Sequence, residues 1–504
     1  MRAMARAALA AAILGAAAGA GAQDDMDDLL GGFEDMDDYA GAADAAGQGG
    51  FDDRPWDLGG SLSAEGSYNL RDHASTTGTD YDGLSRLRLR GTLGLDFDLG
   101  ERWRGEVVAT GWQDLAYAHR DADYTDAVLD TYEKELEVLD AWVAGELGGA
   151  TDLKVGRQIT VWGFADNLRV LDVLNPLDNL EPGRADIEDL RRPTGMVRLD
   201  HYAGPWRATL VVTPEHRFSR NPPFGSDFYP VTDGDGNAVR YREIRPDDFE
   251  DPDYAAALLG RFSGWDLSLN VARFWMDEPF LDASAFERSP GASQDDFENA
   301  AVLRHSRVTL AGLGVQVTRG GWLFKHEAAL VDGVDVTRTT PLEQPLPLIN
   351  AIPIVGALVP DAEGRALPED TRAVRRYDAL LGVEYFGLPD TTFAVEIAGR
   401  HLDDFDDDLA LSGYRELRGE TALRATRDFL NQRLRVILIS VLFNDDGRFW
   451  EATGGAVHRI NAEYDLGGGL EVVGGVLIYE GGDQRPFNVS ADNDRLFGEI
   501  KWSF

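Results

Sequence analysis

The chain has 504 residues, a formal net charge of −40 and no cysteine. Without cysteine there is no disulfide framework and no thiolate metal site, and so acidic a chain argues against nucleic acid as a partner, since phosphates call for Lys and Arg. Glycine is abundant (56 residues) and spread along the chain, as in turn-rich β proteins.

In chain order, the first feature is a secretory signal peptide over 1–22. Arg2 and Arg6 precede an apolar run from Ala7 to Ala18, and Ala20-Gly21-Ala22 forms a cleavage site before Gln23. Beyond it no stretch approaches the ~18 apolar residues of a membrane-spanning helix, so an exported protein without a helical anchor is expected. Residues 23–53 carry eleven acidic residues and no basic one. Met26, Leu29, Leu30, Phe33 and Met36 share a helical face interrupted by Gly31-Gly32. A periplasmic segment over 23–55 is expected, helical or disordered. It would dock an inner-membrane exporter or periplasmic carrier, plug a lumen, or stay a disordered acidic tail.

From Trp56 onward the pattern has period two. In "SRLRLRGTLGLDFDLG" (85–100), Leu87, Leu89, Leu93, Leu95 and Phe97 share one parity, and Arg86, Arg88, Arg90, Asp96 and Asp98 the other. The same alternation recurs around 206–213, 265–271, 376–385 and 393–400, with Trp or Tyr at the ends of apolar rows, as in interfacial belts. Short connections at 98–102, 148–151, 203–205, 262–265, 319–322, 386–390 and 465–469 alternate with long polar ones near 71–82, 116–132, 163–193, 215–252, 276–302, 335–372, 403–413 and 482–493. The fold expected over 56–504 is all-β: a transmembrane antiparallel barrel of about 18 strands, or 16, with long extracellular loops in the bacterial outer membrane. A soluble β-sandwich would not explain so many charged inner faces. Arg157 falls on an apolar parity, which a bulge or a snorkelling side chain would reconcile.

This parity assigns the pore lining to Arg86, Arg88, Arg90, Arg104, Glu106, Arg198, Asp200, Arg207, Arg376, Asp378, Glu384, Glu396, Arg400, Arg424, Glu499 and Lys501. Such charges either orient polar solutes or pair across strands. The loop after Trp162 mixes Leu168, Val170, Leu171, Leu174, Leu177 and Leu180 with Asp166, Arg169, Asp172, Asn175 and Asp178. Free loops in water are seldom so apolar. It is expected to fold inward and narrow the pore, with a short helix near 167–174 stopped by Asn175-Pro176; the other reading is an extracellular lid. The loop at 215–230 is aromatic and proline-rich, and that at 339–364 strongly apolar. The acidic runs 403–413 and 233–237 do not match EF-hand spacing, so no metal site is assigned, and no cofactor is expected.

The chain ends "NDRLFGEIKWSF". Leu496, Ile500, Trp502 and Phe504 form an apolar row running to the last residue. Trp502 and Phe504 resemble the C-terminal signal read by the barrel-assembly machinery.

Together "LLGGFED" (29–35), "KVGRQITVWG" (154–163), "VLNPLD" (173–178) and "AEYDLGGGLEVVGGVLIYEGG" (462–482) resemble a family of proteobacterial porin-like outer-membrane barrels of unknown function. The resemblance implies cooperation with an inner-membrane exporter of the resistance–nodulation–division type moving lipid-like or hydrophobic cargo. It supplies no catalytic residues. The eight His residues stand in no recognisable Ser or acid arrangement, and there is no G-x-S-x-G or H-E-x-x-H. The reading is therefore not an enzyme but a channel or conduit for a hydrophobic or amphipathic substrate. Its alternatives are a non-conducting structural or ligand-binding barrel and, less favoured, an outer-membrane hydrolase.

Overall fold

The computed structural model describes residues 54–120, 122–231, 238, 240–282, 302–341 and 366–504. The signal peptide expected over 1–22, the acidic segment 23–53, the run 233–237 and most of the apolar loop 339–364 lie outside the described residues.

The period-two segments form one sheet of nineteen strands. Eighteen of them close into an antiparallel barrel. They are β1 (Trp56–Asn69), β2 (Gly83–Asp98), β3 (Trp103–Asp114), β4 (Lys134–Glu146), β5 (Thr151–Gln158), β6 (Thr194–Ala203), β7 (Trp206–Thr213), β9 (Asp253–Phe262), β10 (Trp265–Leu281), β11 (Val302–Arg319), β12 (Trp322–Pro341), β13 (Ala366–Leu388), β14 (Thr391–Leu402), β15 (Leu417–Phe429), β16 (Leu434–Asn444), β17 (Gly455–Gly467), β18 (Leu470–Glu480) and β19 (Arg495–Ser503). The remaining strand, β8 (Arg242–Ile244), adds in parallel to β11 from the β7–β9 connection.

Closure is made by β1 against β19, in register from Ser61↔Ser503 to Asn69↔Arg495. The last residue completes the seam: Gly60 and Phe504 exchange backbone hydrogen bonds of 2.9 Å each. A closed barrel leaves no unpaired edge, the condition for crossing lipid with strands. Leu89, Leu93, Leu210, Leu269, Val271, Leu381 and Ile500 are exposed on the outer face. Near the short turns that face carries Trp56, Trp265, Trp322, Phe393, Trp502 and Phe504, with the Trp502 and Phe504 ring centres 4.9 Å apart. An apolar outer band bordered by aromatic rings on a closed barrel places the protein in the bacterial outer membrane.

The short turns include one that carries no sequence signal. Between β15 and β16 the left-handed positions fall on Leu430, Asn431 and Gln432, with φ of 56°, 55° and 64°, where most other short turns use glycine. The 445–454 loop opposite it was likewise not anticipated. The loops expected over 276–302 and 335–372 are shorter than read, because β10 continues to Leu281, β12 to Pro341, and β13 starts at Ala366. The β12–β13 ladder absorbs Pro368 opposite Thr339 beside a register shift.

Candidate functional site

The register puts all sixteen pore-lining candidates on the lumen face, because β-pairing carries one parity from strand to strand: Glu65↔Arg88, Arg88↔Asp114, Glu106↔Trp142, Lys154↔Arg198. Most have partners. Arg86 binds Glu181 and lies 3.5 Å from Asp114 and 4.0 Å from Glu65. Arg88 lies 3.8 Å from Asp114 and over the Trp112 ring. Arg90 lies 3.1 Å from Glu65. Arg198 pairs with Asp200 at 2.7 Å, and Arg376 with Asp378 at 2.8 Å. Arg104 stands over the Trp142 ring, Glu106 is buried, and Arg207 is half-buried. Glu384 lies 3.6 Å from Lys325. Glu499 and Lys501 stand opposite Glu65 and Ser63. Arg86 and its neighbours thus belong to a cross-strand ionic lattice.

The β5–β6 loop does not form a helix near 167–174. Leu171, whose amide such a helix would turn on itself, donates instead to a wall carboxylate, and the amides of 164–168 before it are held by that carboxylate and a second one. Glu396 on β14 accepts the N–H groups of Asp166, Asn167 and Leu168 at 2.8, 2.9 and 2.9 Å. Glu327 on β12 accepts those of Phe164, Ala165 and Leu171 at 2.5, 3.0 and 3.1 Å. Charge-assisted bonds of this kind are stronger than an amide–carbonyl bond. Gly163, at φ 90°, allows the approach: a Cβ there would sit 2.5 Å from Glu327 Oε1. Lys325 binds Asp166, and Arg400, itself bound to Glu420, donates to the Arg169 carbonyl at 2.9 Å.

The apolar side chains of this lobe meet an apolar stretch of inner wall. Trp162, Leu168, Val170, Leu171 and Leu174 pack with Met196, Val211, Phe274, Leu310, Val331 and Leu380 in one buried cluster. Gly312 and Gly314 form the socket on β11. A Cβ on Gly312 would come within 2.3 Å of Leu171, and one on Gly314 within 3.0 Å of Phe164.

Asn175 ties the loop back to its root, accepting from the Thr160 amide at 2.8 Å and donating to the Arg192 carbonyl at 3.0 Å. Arg191 and Arg169 hold Asp172 at 2.9 and 3.1 Å. Asp178 lies 3.5 Å from Arg220. A second lobe then reaches the far wall. Asp186 is bound by Arg459 and, at 2.8 Å, by Arg424. The Gly183 carbonyl accepts from Arg459 at 3.1 Å and the Pro182 carbonyl from Tyr479 at 2.7 Å. The helix of this loop falls here, α1 (Ile187–Leu190). Within it the Asp189 carboxyl is pushed up to about 6, first by loss of water around it and then by the like charges of Glu188 and Asp186.

Several residues of this arrangement were not singled out from the sequence: Glu65, Asp114, Glu181, Lys325, Glu327, Glu420 and Arg459. Glu327 had a usable signal: on the inner row Leu323, Lys325, Glu327, Ala329, Val331 a lysine and an acid interrupt apolar residues. The acidic run 403–413 caps a short helix: Asp406 accepts from Leu409 N at 3.1 Å and pairs with Arg372 at 2.9 Å. Among the described residues no cluster of three or more ligating side chains could hold a metal ion.

The sequence matches one family model, described as a protein of unknown function (DUF1302), over residues 3–504. The chain belongs to that family. A search of curated proteins finds no match. Among solved structures, this DUF1302 protein is similar to OccK1 (OpdK) of Pseudomonas aeruginosa, with 12% identity, 89% of this chain and 98% of that chain covered, and a TM-score of 0.45. It is also similar to OccAB1 of Acinetobacter baumannii (9% identity, 92% and 99% covered, TM-score 0.46) and to the outer-membrane channel DcaP of the same species (11% identity, 89% and 97%, TM-score 0.38). The outer-membrane assignment rests on the barrel's own closure and apolar band.

Proposed function

We propose that this DUF1302 barrel is a porin-like conduit for a hydrophobic or amphipathic substrate, gated by the β5–β6 loop across its lumen. The observation that carries the reading is the loop's two-sided anchoring: Glu327 and Glu396 hold one lobe, Arg424 and Arg459 the other. A loop held this way divides the inner wall into two surfaces. The face from β6 to β14 is dry and apolar around Leu171, and the face from β17 to β3 carries the Arg86–Glu65–Asp114 lattice. Passage past such a loop favours molecules with an apolar and a polar part, whereas an unobstructed lumen of this size would pass ions and small polar solutes.

Single-channel recording of the refolded barrel in a planar bilayer tests this, beside a variant lacking 163–193. Low conductance that becomes large and steady on deletion supports a gated conduit. Large conductance in the intact barrel means a general diffusion porin. Silence in both overturns the channel reading in favour of a structural or ligand-binding barrel.

A further inference from the structure

The barrel wall is uneven in height. A membrane-crossing β-strand needs about 9–11 residues. β12 and β13 far exceed that, with 20 and 23, but β5 and β7 have 8 each. The β4–β5 ladder stops at Ala141↔Arg157, so residues 134–138 of β4 pair only with β3. Above β5 and β7 the barrel is continued by irregular chain, including Pro193 and Pro214–Arg217. Irregular backbone at membrane depth is tolerated where it is buried in protein or lines a passage.

Ion pairs close this gap. Arg157 faces outward, by the parity it shares with Ala141. It donates to Glu215 from Nε at 3.2 Å and from Nη2 at 2.5 Å, and to the Val138 carbonyl at the open edge of β4 at 3.1 Å. Glu215 also accepts the Gly195 amide at 2.6 Å. Arg192 and Arg217 converge on Glu137, and Arg220 on Glu135 at 2.8 Å. Around the latch stand apolar side chains open to the outside. Leu136 is 85% exposed, and Phe249, whose N–H is bonded to the Pro214 carbonyl at 2.8 Å, is 77% exposed. Just inside lie Trp162 and Met196, the near end of the apolar cluster under the loop.

We infer that this latched gap is a side portal through which an anionic single-chain amphiphile, of the long-chain carboxylate class, passes between the outer leaflet and the lumen. An ion pair next to lipid is costly to open, because each charge is left unpaired. An entering carboxylate lowers that cost by taking the place of Glu215 on Arg157, with Glu215 keeping the Gly195 amide, while the amphiphile's chain lies against Leu136, Val138 and Phe249. The inference rests on the conduit reading, since a portal needs a lumen to lead into.

The test uses the full mature barrel in phosphatidylcholine vesicles containing hexadecanoic acid with a photo-reactive diazirine on its chain. Adducts are mapped by mass spectrometry. Adducts several-fold denser at 136–138, 157–161, 214–217 and 249 than at Leu381 and Val383, and displaced by plain hexadecanoic acid, support the portal. Glu215→Gln then extends labelling inward to Trp162, and Arg157→Leu reduces it. Even labelling around the belt, or an Arg157→Leu variant labelled like the wild type, overturns it. So does protection of the gap by a second copy of the chain, read from the particle mass. The readout is independent of ion flux. A silent barrel with portal labelling would sink the conductance reading alone, and a conducting barrel with even labelling would sink the portal alone.

Discussion

Arg424 on β15 holds Asp186 at 2.8 Å, on the wall opposite β5 and β6, where the loop bearing Asp186 is rooted. Arg459 shares the same carboxylate. Asp186→Asn would leave both guanidinium groups without their counter-charge, at about 1–3 kcal/mol of loop docking. The expected result is faster trypsin cleavage after Arg184 and Arg191 in a barrel that stays folded. Unchanged cleavage would mean that the second lobe is held by the Tyr479 and Arg459 bonds to its carbonyls alone.

Glu396→Gln tests the first lobe. Three consecutive amides converge on a carboxylate, and an amide side chain offers one oxygen and two unwanted donors. Hydrogen bonds to a charged group contribute about 1.5–3 kcal/mol each, so exchange at the Asp166, Asn167 and Leu168 amides should accelerate well over tenfold. Amides of Phe164 and Leu171, bound to Glu327, should respond less. Equal acceleration across both sets would show that the lobe opens as one unit.

Gly312→Val places new atoms where Leu171 packs, and Leu171 is fully buried with nowhere to move. Overpacking of this kind costs about 1–3 kcal/mol. Gly474→Val is the control, since nothing lies within 4 Å of a Cβ there. Thermal unfolding should separate the two, with the β11 variant melting lower. Equal melting temperatures would show that the loop yields at little cost.

Much of the barrel was legible because it rests on period two and on turn chemistry, which are local. Arg86, Arg88 and Arg90 declare their face within a few residues of Leu87 and Leu89. The 430–433 turn was not legible, because Leu430, Asn431 and Gln432 adopt a backbone that glycine usually marks. The helix expected at 167–174 failed for a non-local reason: its amide partners, Glu327 and Glu396, lie more than a hundred residues away. Arg157 was visible as an exception, but its explanation needs Glu215 and the open edge of β4. The β5 register has no bulge, so side-chain reach to an ion pair accounts for it.

Asp189 gives the conduit a pH signature. Its side chain opens on the lumen while its carboxyl is raised to about 6. Below that pH it is neutral, above it charged. As pH rises from 5 to 7 the lumen gains negative charge, and cation preference should increase. Reversal potentials under a salt gradient read this directly. Asp189→Asn should flatten the dependence, and a slope that persists in that variant assigns it to other groups.

Arg86 is the most deeply committed cation of the lattice. Its side chain is 9% exposed, and Glu65, Asp114 and Glu181 all face it. Arg86→Ala would take from Glu181 its nearest cation and leave the buried Asp114 and Glu65 with only Arg88 and Arg90, a loss of up to about 3–5 kcal/mol. Arg90 shares Glu65, but its side chain is 37% exposed, so water can replace it and Arg90→Ala should cost about 1 kcal/mol or less. Denaturant midpoints of the two variants, compared by heat-dependent gel mobility, decide between lattice and lining. A large gap in stability with similar conductance makes Arg86 a structural strut. Similar stability with altered conductance only for Arg86→Ala would move it to the solute path.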